Sequence, residues 1–297
     1  MKRGGLIGGA LVLGAVPALA ADKSEPVVLP PASPWHVQYA DDSCRLAREF
    51  GTGEAAVTLM IDQFEPGDMF RMSLIGGRMK RPAGLDEARV RFGAALPEQA
   101  VPFYPSMVGK YPAWSFAQDM RVRPLSDAET AARAVQEDAP LAPISEEEKA
   151  SVTAIDIGRP LRRPLRLHTG SMKASFAAMD ACTDELLTHW GIDVVRHKTR
   201  SRPVTPADSP GIWLKSEDYP SAMQQMGQPG IVQFRLTVDE KGIPAACHIQ
   251  QSTNPEGFDR TVCEKLMRRA RFVPALDKDG KPMTSYYRDT VHFMFPN

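Results

Sequence analysis

The sequence predicts an α+β protein of two domains: a mostly-β first domain with one long helix, then a small second domain of antiparallel strands packed on a helix. Three observations carry that expectation. Alternating apolar residues mark short strands in both halves of the chain, and apolar residues at helical spacing mark 172–190 and 258–271. A Pro-rich stretch without any period, 196–212, reads as a linker between 35–195 and 213–297. A length of 297 residues is natural for two domains.

The second domain is the more legible. Over 231–238, Val232, Phe234, Leu236 and Val238 fall on one side, with Gln233, Arg235 and Thr237 on the other, the period of a half-buried strand. Asp239-Glu240-Lys241-Gly242 suits a hairpin turn with a residue at positive φ. Ile243, Ala245, Cys247 and Ile249 then share a face, so the two runs form an antiparallel hairpin with one wet face. Turn chemistry at 251–257 leads into a helix, on which Phe258, Val262, Leu266 and Ala270 recur every fourth residue. Its acid comes early and its arginines late, which suits the helix dipole, and Pro274 ends it. After a turn at Asp277-Lys278-Asp279-Gly280, 284–295 is a third strand, with Tyr287, Val291, Phe293 and Phe295 in one register.

These residues resemble a known family. Tyr219-Pro220, Gly230 at the head of the first strand, the 238–242 turn, Phe258-Asp259, the helix end Met267-Arg268-Arg269-Ala270-Arg271-Phe272-Val273-Pro274 and the Gly280 hairpin carry the likeness. In that order and at those separations they look like the C-terminal domain of TonB, the periplasmic energy transducer of Gram-negative bacteria. The resemblance covers about a quarter of the chain. It implies a small open sheet whose last strand keeps a free edge, to which an extended segment adds as a further strand. In the family the similar surface receives the TonB box of outer-membrane receptors. By resemblance the contact residues here are Tyr286, Arg288, Thr290 and His292; the alternative is an ordinary solvent-facing row. The implied partner is a segment of a periplasmic or outer-membrane protein, a TonB-box-like peptide included, and no cofactor is implied. TonB proper keeps an N-terminal membrane anchor and a long Pro-rich spacer. A linker of roughly fifteen residues reaches at most about 50 Å.

Lys2 and Arg3 precede the uncharged stretch 4–21, and Ala18-Leu19-Ala20 has the small-x-small form of a signal-peptidase site. Residues 1–20 therefore read as a secretory signal peptide, cleaved between Ala20 and Ala21. The rival reading is an uncleaved anchor, which so short a stretch barely allows and which alone would bring membrane contact. Export to the periplasm makes the four cysteines disulfide candidates. Cys247 lies on the apolar face of its strand, and Cys263 on the apolar flank of the helix that must cover that face. They should meet, closing a loop of about fifteen residues. That leaves Cys44 with Cys182.

Ahead of the second domain, 21–34 reads as an extended, poorly ordered arm. Strands are expected at 35–39, 55–61, 69–75, 87–92, 151–157 and 161–167. The stretch 97–124 reads as irregular and aromatic, with Phe103, Tyr104, Tyr111, Trp114 and Phe116 serving as core or as a ligand groove. Ser126 and Glu129 form a capping box at the head of a helix reaching about residue 137. The long helix over 172–190 sets Phe176, Met179, Cys182, Leu186 and Trp190 on one side, and Gly191 stops it.

Acidic and basic residues balance at 36 each, which argues against a nucleic-acid partner. A hydrophobic content of 43% excludes a mostly disordered chain. Catalytic constellations are missing. The six histidines form no HxH or HxxxH pair, so no histidine-built metal site is expected, and no GxSxG or SxxK motif occurs. Cys182 and His189 lie two helical turns apart, about 10 Å, too far for proton transfer. Asp277-x-Asp279-Gly280 resembles part of a calcium loop, but Arg288 stands where the bidentate Glu is needed. The expectation is a non-enzyme, a periplasmic protein-binding or adaptor protein. Two alternatives stay open: an anchored TonB-like transducer for outer-membrane transport, and an exported hydrolase with its site in 35–195.

Overall fold

A computed structural model of the chain describes residues 25–80, 87–116, 118–135, 139 and 141–294. The segment expected to be a signal peptide, with the cleavage expected between Ala20 and Ala21, lies outside them, as does Phe295. The first domain is built from β1 (Val27–Leu29), β2 (His36–Tyr39), β3 (Cys44–Phe50), β4 (Val57–Gln63) and β5 (Arg71–Ile75). It continues with β6 (Glu87–Phe92), β7 (Gln99–Val108), β8 (Tyr111–Phe116), β9 (Ile155–Ile157) and β10 (Leu165–Leu167). These ten strands form one sheet in the order β1-β10-β9-β6-β7-β8-β5-β4-β3-β2. Period-two burial drives them: Val57, Leu59 and Ile61 of β4, and Leu46 of β3, are wholly inside.

Two expectations for this domain are corrected. The stretch 97–124 is largely a regular hairpin, because β7 is long enough to pair with β6 through residues 99–102 and with β8 through 103–108. Pro102, Pro105 and Pro112 disguise it, since proline argues against a strand. Phe103, Trp114 and Phe116 nevertheless point into the core, while Tyr104 and Tyr111 stay outside. The arm is also not loose where it is described: β1 pairs in parallel with β10 and buries Leu29.

Three helices follow the hairpin. Ser126 caps α1 (Asp127–Val135) as expected, with Glu129 N–H donating to Ser126 Oγ at 3.2 Å and Ser126 N–H to Glu129 Oε2 at 2.8 Å. A second capping box, Ser145 with Glu148, starts the unanticipated α2 (Glu146–Ser151). The long α3 (Lys173–His189) presses Phe176, Met179, Cys182 and Leu186 into the core. Cys182 bonds Cys44 at the start of β3, with Cα atoms 6.0 Å apart.

The chain then passes through α4 (Val194–Lys198) and β11 (Thr205–Pro206) to α5 (Ser221–Gln225). The segment 196–212 is docked rather than strung between the domains. Ser201 and Arg202 donate to Leu276 and Pro274 carbonyls, and β11 pairs with β14 (Phe272–Val273). The second sheet has the order β13-β12-β17, from β12 (Gly230–Val238), β13 (Pro244–Ser252) and β17 (Ser285–Phe293). Over it lies α6 (Pro255–Arg269), and β15 (Ala275–Leu276) pairs with β16 (Pro282–Met283) beside it.

Val232, Phe234, Leu236 and Val238 meet Phe258, Val262, Leu266 and Ala270 in this second core. Gly230 is required there, because a Cβ would stand 2.4 Å from the Phe258 ring. Cys247 and Cys263 are bonded across the helix–sheet contact, with Cα atoms 5.6 Å apart. The Asp277–Gly280 turn is a hairpin. Asp277 Oδ1 accepts from Asp279 and Lys281 N–H, and Oδ2 pairs with Arg196 at 2.8 Å.

The face expected to be wet is not. Gln233 and Arg235 are each only 2% exposed, because the first domain covers the sheet on the side opposite α6. Arg71 of β5 donates to Gln233 and Gln251, and Asp119 joins Arg71 to Arg288 of β17 at 3.0 and 2.8 Å. Arg235 reaches Asp42 at 3.0 Å and lies over the Trp190 ring, 4.0 Å from its centre. Gln250 donates to the carbonyls of Asp42 and Phe64. Alternation signals two faces of unlike polarity, and a polar domain interface satisfies it as well as water does.

Candidate partner-binding edge

The second sheet ends in β13 on one side and β17 on the other, and among the described residues no strand pairs with the outer side of β17. The direction of its backbone groups follows from β12. Ile231 N–H donates to Thr253 Oγ1 and its carbonyl accepts from Thr253 N–H, so Ile231 faces β13. Gly230, Val232, Phe234 and Leu236 then face β17, opposite Phe293, Val291, Asp289 and Tyr287. Tyr286, Arg288, Thr290 and His292 consequently turn their N–H and C=O groups outward. Thr290 agrees, since its N–H is taken at 2.7 Å by the Asp289 carboxylate instead of by β12.

Of the four residues named as partner contacts, with a solvent-facing row as the alternative, Tyr286 and Arg288 send their side chains toward the first domain. Tyr286 is stacked on His197, with ring centres 5.3 Å apart, and meets Trp190 edge-on. Burial, then the nearby Glu65 carboxylate, raise its hydroxyl pKa well above the usual tyrosine value. Arg288 donates to Glu65 at 2.7 Å and to Asp119 at 2.8 Å. Burial by itself would lower its pKa, but the two carboxylates raise it. Thr290 is half-buried and His292 exposed. Tyr286 and Arg288 are thus interface side chains, whereas their backbone belongs to the open edge.

Two recesses flank this edge. Toward its start, Tyr286 and Arg288 wall a cleft of ≈ 620 Å³ between the domains. Pro66, Met69, Leu141 and Pro143 of the first domain form the opposite wall, and Lys198 and Arg200 line it as well. Farther along, Asp289, Thr290 and Val291 border a slot of ≈ 210 Å³ whose other walls include Trp213, Leu214, Phe234 and Leu266. Trp213 lies in the segment between β11 and α5, held by Phe272 and Tyr287. Sequence reasoning missed Arg200 and Trp213. The apolar triplet Ile212-Trp213-Leu214 inside a polar stretch is the signal that could have found the slot. Arg200 carries none.

His197 is buried and its Nδ1 lies 3.4 Å from Ser285 Oγ. Burial first, then Arg200 and Lys198, hold its pKa down to about 3, so the ring is neutral at pH 7. Among the described residues no cluster of three or more His, Cys, Asp or Glu side chains is placed to hold a metal ion. No helix among them is long and apolar enough to cross a membrane.

Residues 215–295 match the family model described as Gram-negative bacterial TonB protein C-terminal. The match takes in α5, α6 and β12 to β17, the whole of the edge strand included, so this part of the chain is a TonB C-terminal domain. No curated protein matches the chain.

Proposed function

With a TonB C-terminal domain at residues 215–295 as premise, we propose that the chain is a periplasmic binding or adaptor protein, without catalysis of its own. Its second domain captures an extended segment of a periplasmic or outer-membrane protein by strand addition to β17. The observation that carries this is the outward backbone of Tyr286, Arg288, Thr290 and His292 on a strand with no outer neighbour among the described residues. Such an edge supplies main-chain hydrogen bonds for affinity, and the recesses beside it supply selectivity. The family match also supports a place in TonB-type transport across the outer membrane. The docking of 196–212 onto the second domain favours an adaptor over an energy transducer, because a tethered segment is no spacer.

The test is binding of extended peptides to the full chain, read by fluorescence anisotropy. Thr290→Pro should fold, since the Thr290 N–H does not serve β12 and proline is tolerated at such edge positions. It should weaken binding about tenfold or more, because an outward donor is lost at about 1 kcal/mol net and the proline ring obstructs the incoming strand. His292→Ala should change binding by less than about threefold, as exposed side chains add little. Equal affinities for parent and Thr290→Pro, with unchanged circular dichroism, would place the binding surface elsewhere.

A further inference from the structure

We infer that the first domain seats on an anionic phospholipid surface through the end of its sheet farthest from the second domain. The tip of the β7–β8 hairpin enters the lipid, and a rim of arginine and lysine side chains meets the phosphates. This contact is independent of strand addition and needs no membrane-spanning segment.

The pairing registers place the surface. β7 runs from Gln99, opposite Val90, to Val108, opposite Tyr111, so the hairpin tip and the start of β6 lie at one end of the sheet. Ile157 pairs with Val90 and Gly158 N–H donates to the Arg89 carbonyl, which brings the connection 158–164 to that same end. Gly76 N–H donates to the Pro112 carbonyl and Trp114 Nε1 to the Lys80 carbonyl, which brings 76–80 there too. The second domain is held at the opposite end, by Asp42, Glu65 and Asp119.

Two properties coincide at the free end. The first is apolar exposure. Tyr104, Met107, Val108 and Tyr111 are between 49% and 62% exposed, and none of them serves the core, which Phe103, Trp114 and Phe116 fill. All of 107–111 is exposed, so both faces of the hairpin end are in solvent and the tip stands clear of the sheet. An apolar cluster of this kind with a polar rim marks an interaction site.

The second property is charge. Among the described residues, the connections at this end carry Arg78, Lys80, Lys110, Arg159, Arg162 and Arg163 against Glu25 and Glu54, and none of these cations is paired with a carboxylate there. Lys110 lies over the Tyr111 ring, 5.4 Å from its centre, and Arg163 reaches the Glu25 carbonyl alone. Farther from the end, by contrast, Asp156 is shared between Arg91 and Arg166. A chain of zero net charge thus gathers unpaired positive charge around an apolar tip.

The combination selects the occupant. A lipid leaflet closes around a wedge from every side and offers phosphates at the depth where the cations stand. Tyrosine, with an apolar ring and a polar tip, suits that boundary. A soluble polyanion would answer the cations and leave the apolar tip in water. A second copy would bring like charge to like charge.

The experiment uses the full chain and vesicles of phosphatidylcholine alone or mixed with phosphatidylglycerol, with binding read by co-sedimentation. The parent should bind the mixed vesicles about tenfold tighter or more, and lose this margin at about 1 M salt, where the screening length falls to about 3 Å. Arg162→Gln/Arg163→Gln should weaken binding to mixed vesicles about tenfold or more, at roughly fivefold per cation. Met107→Ser/Val108→Ser should do likewise through lost apolar burial. All four side chains are exposed, so the circular dichroism should not change. Each variant keeps the N-terminal segment, so any difference from the parent belongs to the substituted residues. Equal binding by the parent and either double variant, or no preference for phosphatidylglycerol, would overturn the inference. Capture of a soluble sulfated glycan with vesicles left unbound, or a dimer in analytical ultracentrifugation that the tip variant abolishes, would overturn it in favour of that occupant. Peptide binding at β17 should be the same in all these variants, so either reading can fail without the other.

Discussion

At the scale of single residues, position decides what each polar group does. Asp289 sits on the edge strand and occupies the outward Thr290 N–H, while the Tyr287 hydroxyl donates to its other oxygen at 3.0 Å. A side chain that satisfies an edge donor blunts unwanted pairing yet can swing aside for a partner. His197 shows the cost of burial. An ordinary histidine titrates near 6.5, whereas this one, packed on Tyr286 beside Arg200 and Lys198, titrates at about 3. Between those values the unfolded chain takes a proton that the folded chain refuses. The residue's contribution to stability is therefore complete above about pH 6.5 and declines as pH falls toward 3, by up to about 1.4 kcal/mol per pH unit. His197→Gln should flatten the fall in Tm between pH 7 and pH 4 measured by differential scanning fluorimetry. An unchanged slope would assign the acid sensitivity to other groups.

At the scale of elements, the second domain depends on a few close approaches. Gly242 closes the β12–β13 turn at φ +77°, and a Cβ there would stand 1.9 Å from the Phe272 carbonyl oxygen. That carbonyl belongs to the strand leaving α6, and Phe272 N–H donates back to the Gly242 carbonyl at 2.9 Å. Gly242→Ala adds the left-handed penalty to a backbone clash, and should cost about 2–5 kcal/mol in urea denaturation. A loss below about 1 kcal/mol would mean that the turn moves away freely. The Cys247–Cys263 bond spans a sequence separation of 16, and replacing both cysteines by serine should cost about 3 kcal/mol on the chain-entropy account. Both features were legible beforehand, the first as Asp-Glu-Lys-Gly between alternating runs and the second as cysteines on facing apolar surfaces. The β7–β8 hairpin was not, because three prolines mask an alternation that Phe103, Trp114 and Phe116 keep.

At the scale of the whole molecule, the second sheet is covered on one side by α6 and on the other by the first domain. Asp119 holding Arg71 and Arg288, and Asp42 holding Arg235 over Trp190, form the polar heart of that contact. Removing both second-domain cations leaves carboxylates of the first domain unpaired, and close charge pairs across interfaces couple by about 1.5 kcal/mol or more. The parent should melt in a single calorimetric transition, and Arg235→Ala/Arg288→Ala in two, as each domain loses the support of the other. One unshifted transition in the double variant would show that these ion pairs do not couple the domains. The same docking makes the cleft, because Pro66 and Met69 reach the edge strand only when the first domain covers the sheet.

The sequence by itself determined the local elements of the second domain and both disulfide pairings. Each of these depends on period, turn chemistry or the facing of neighbours a few residues apart, and such signals are written in consecutive positions. Only the tertiary structure decided what covers the polar face of the sheet. Gln233, Arg235 and Arg288 have the same alternation whether they meet water or a second domain, and their partners Arg71, Asp42, Glu65 and Asp119 lie more than a hundred residues away. For the same reason the cleft at Arg200 and the slot at Trp213 exist only once the chain has folded, when distant segments are brought to one strand.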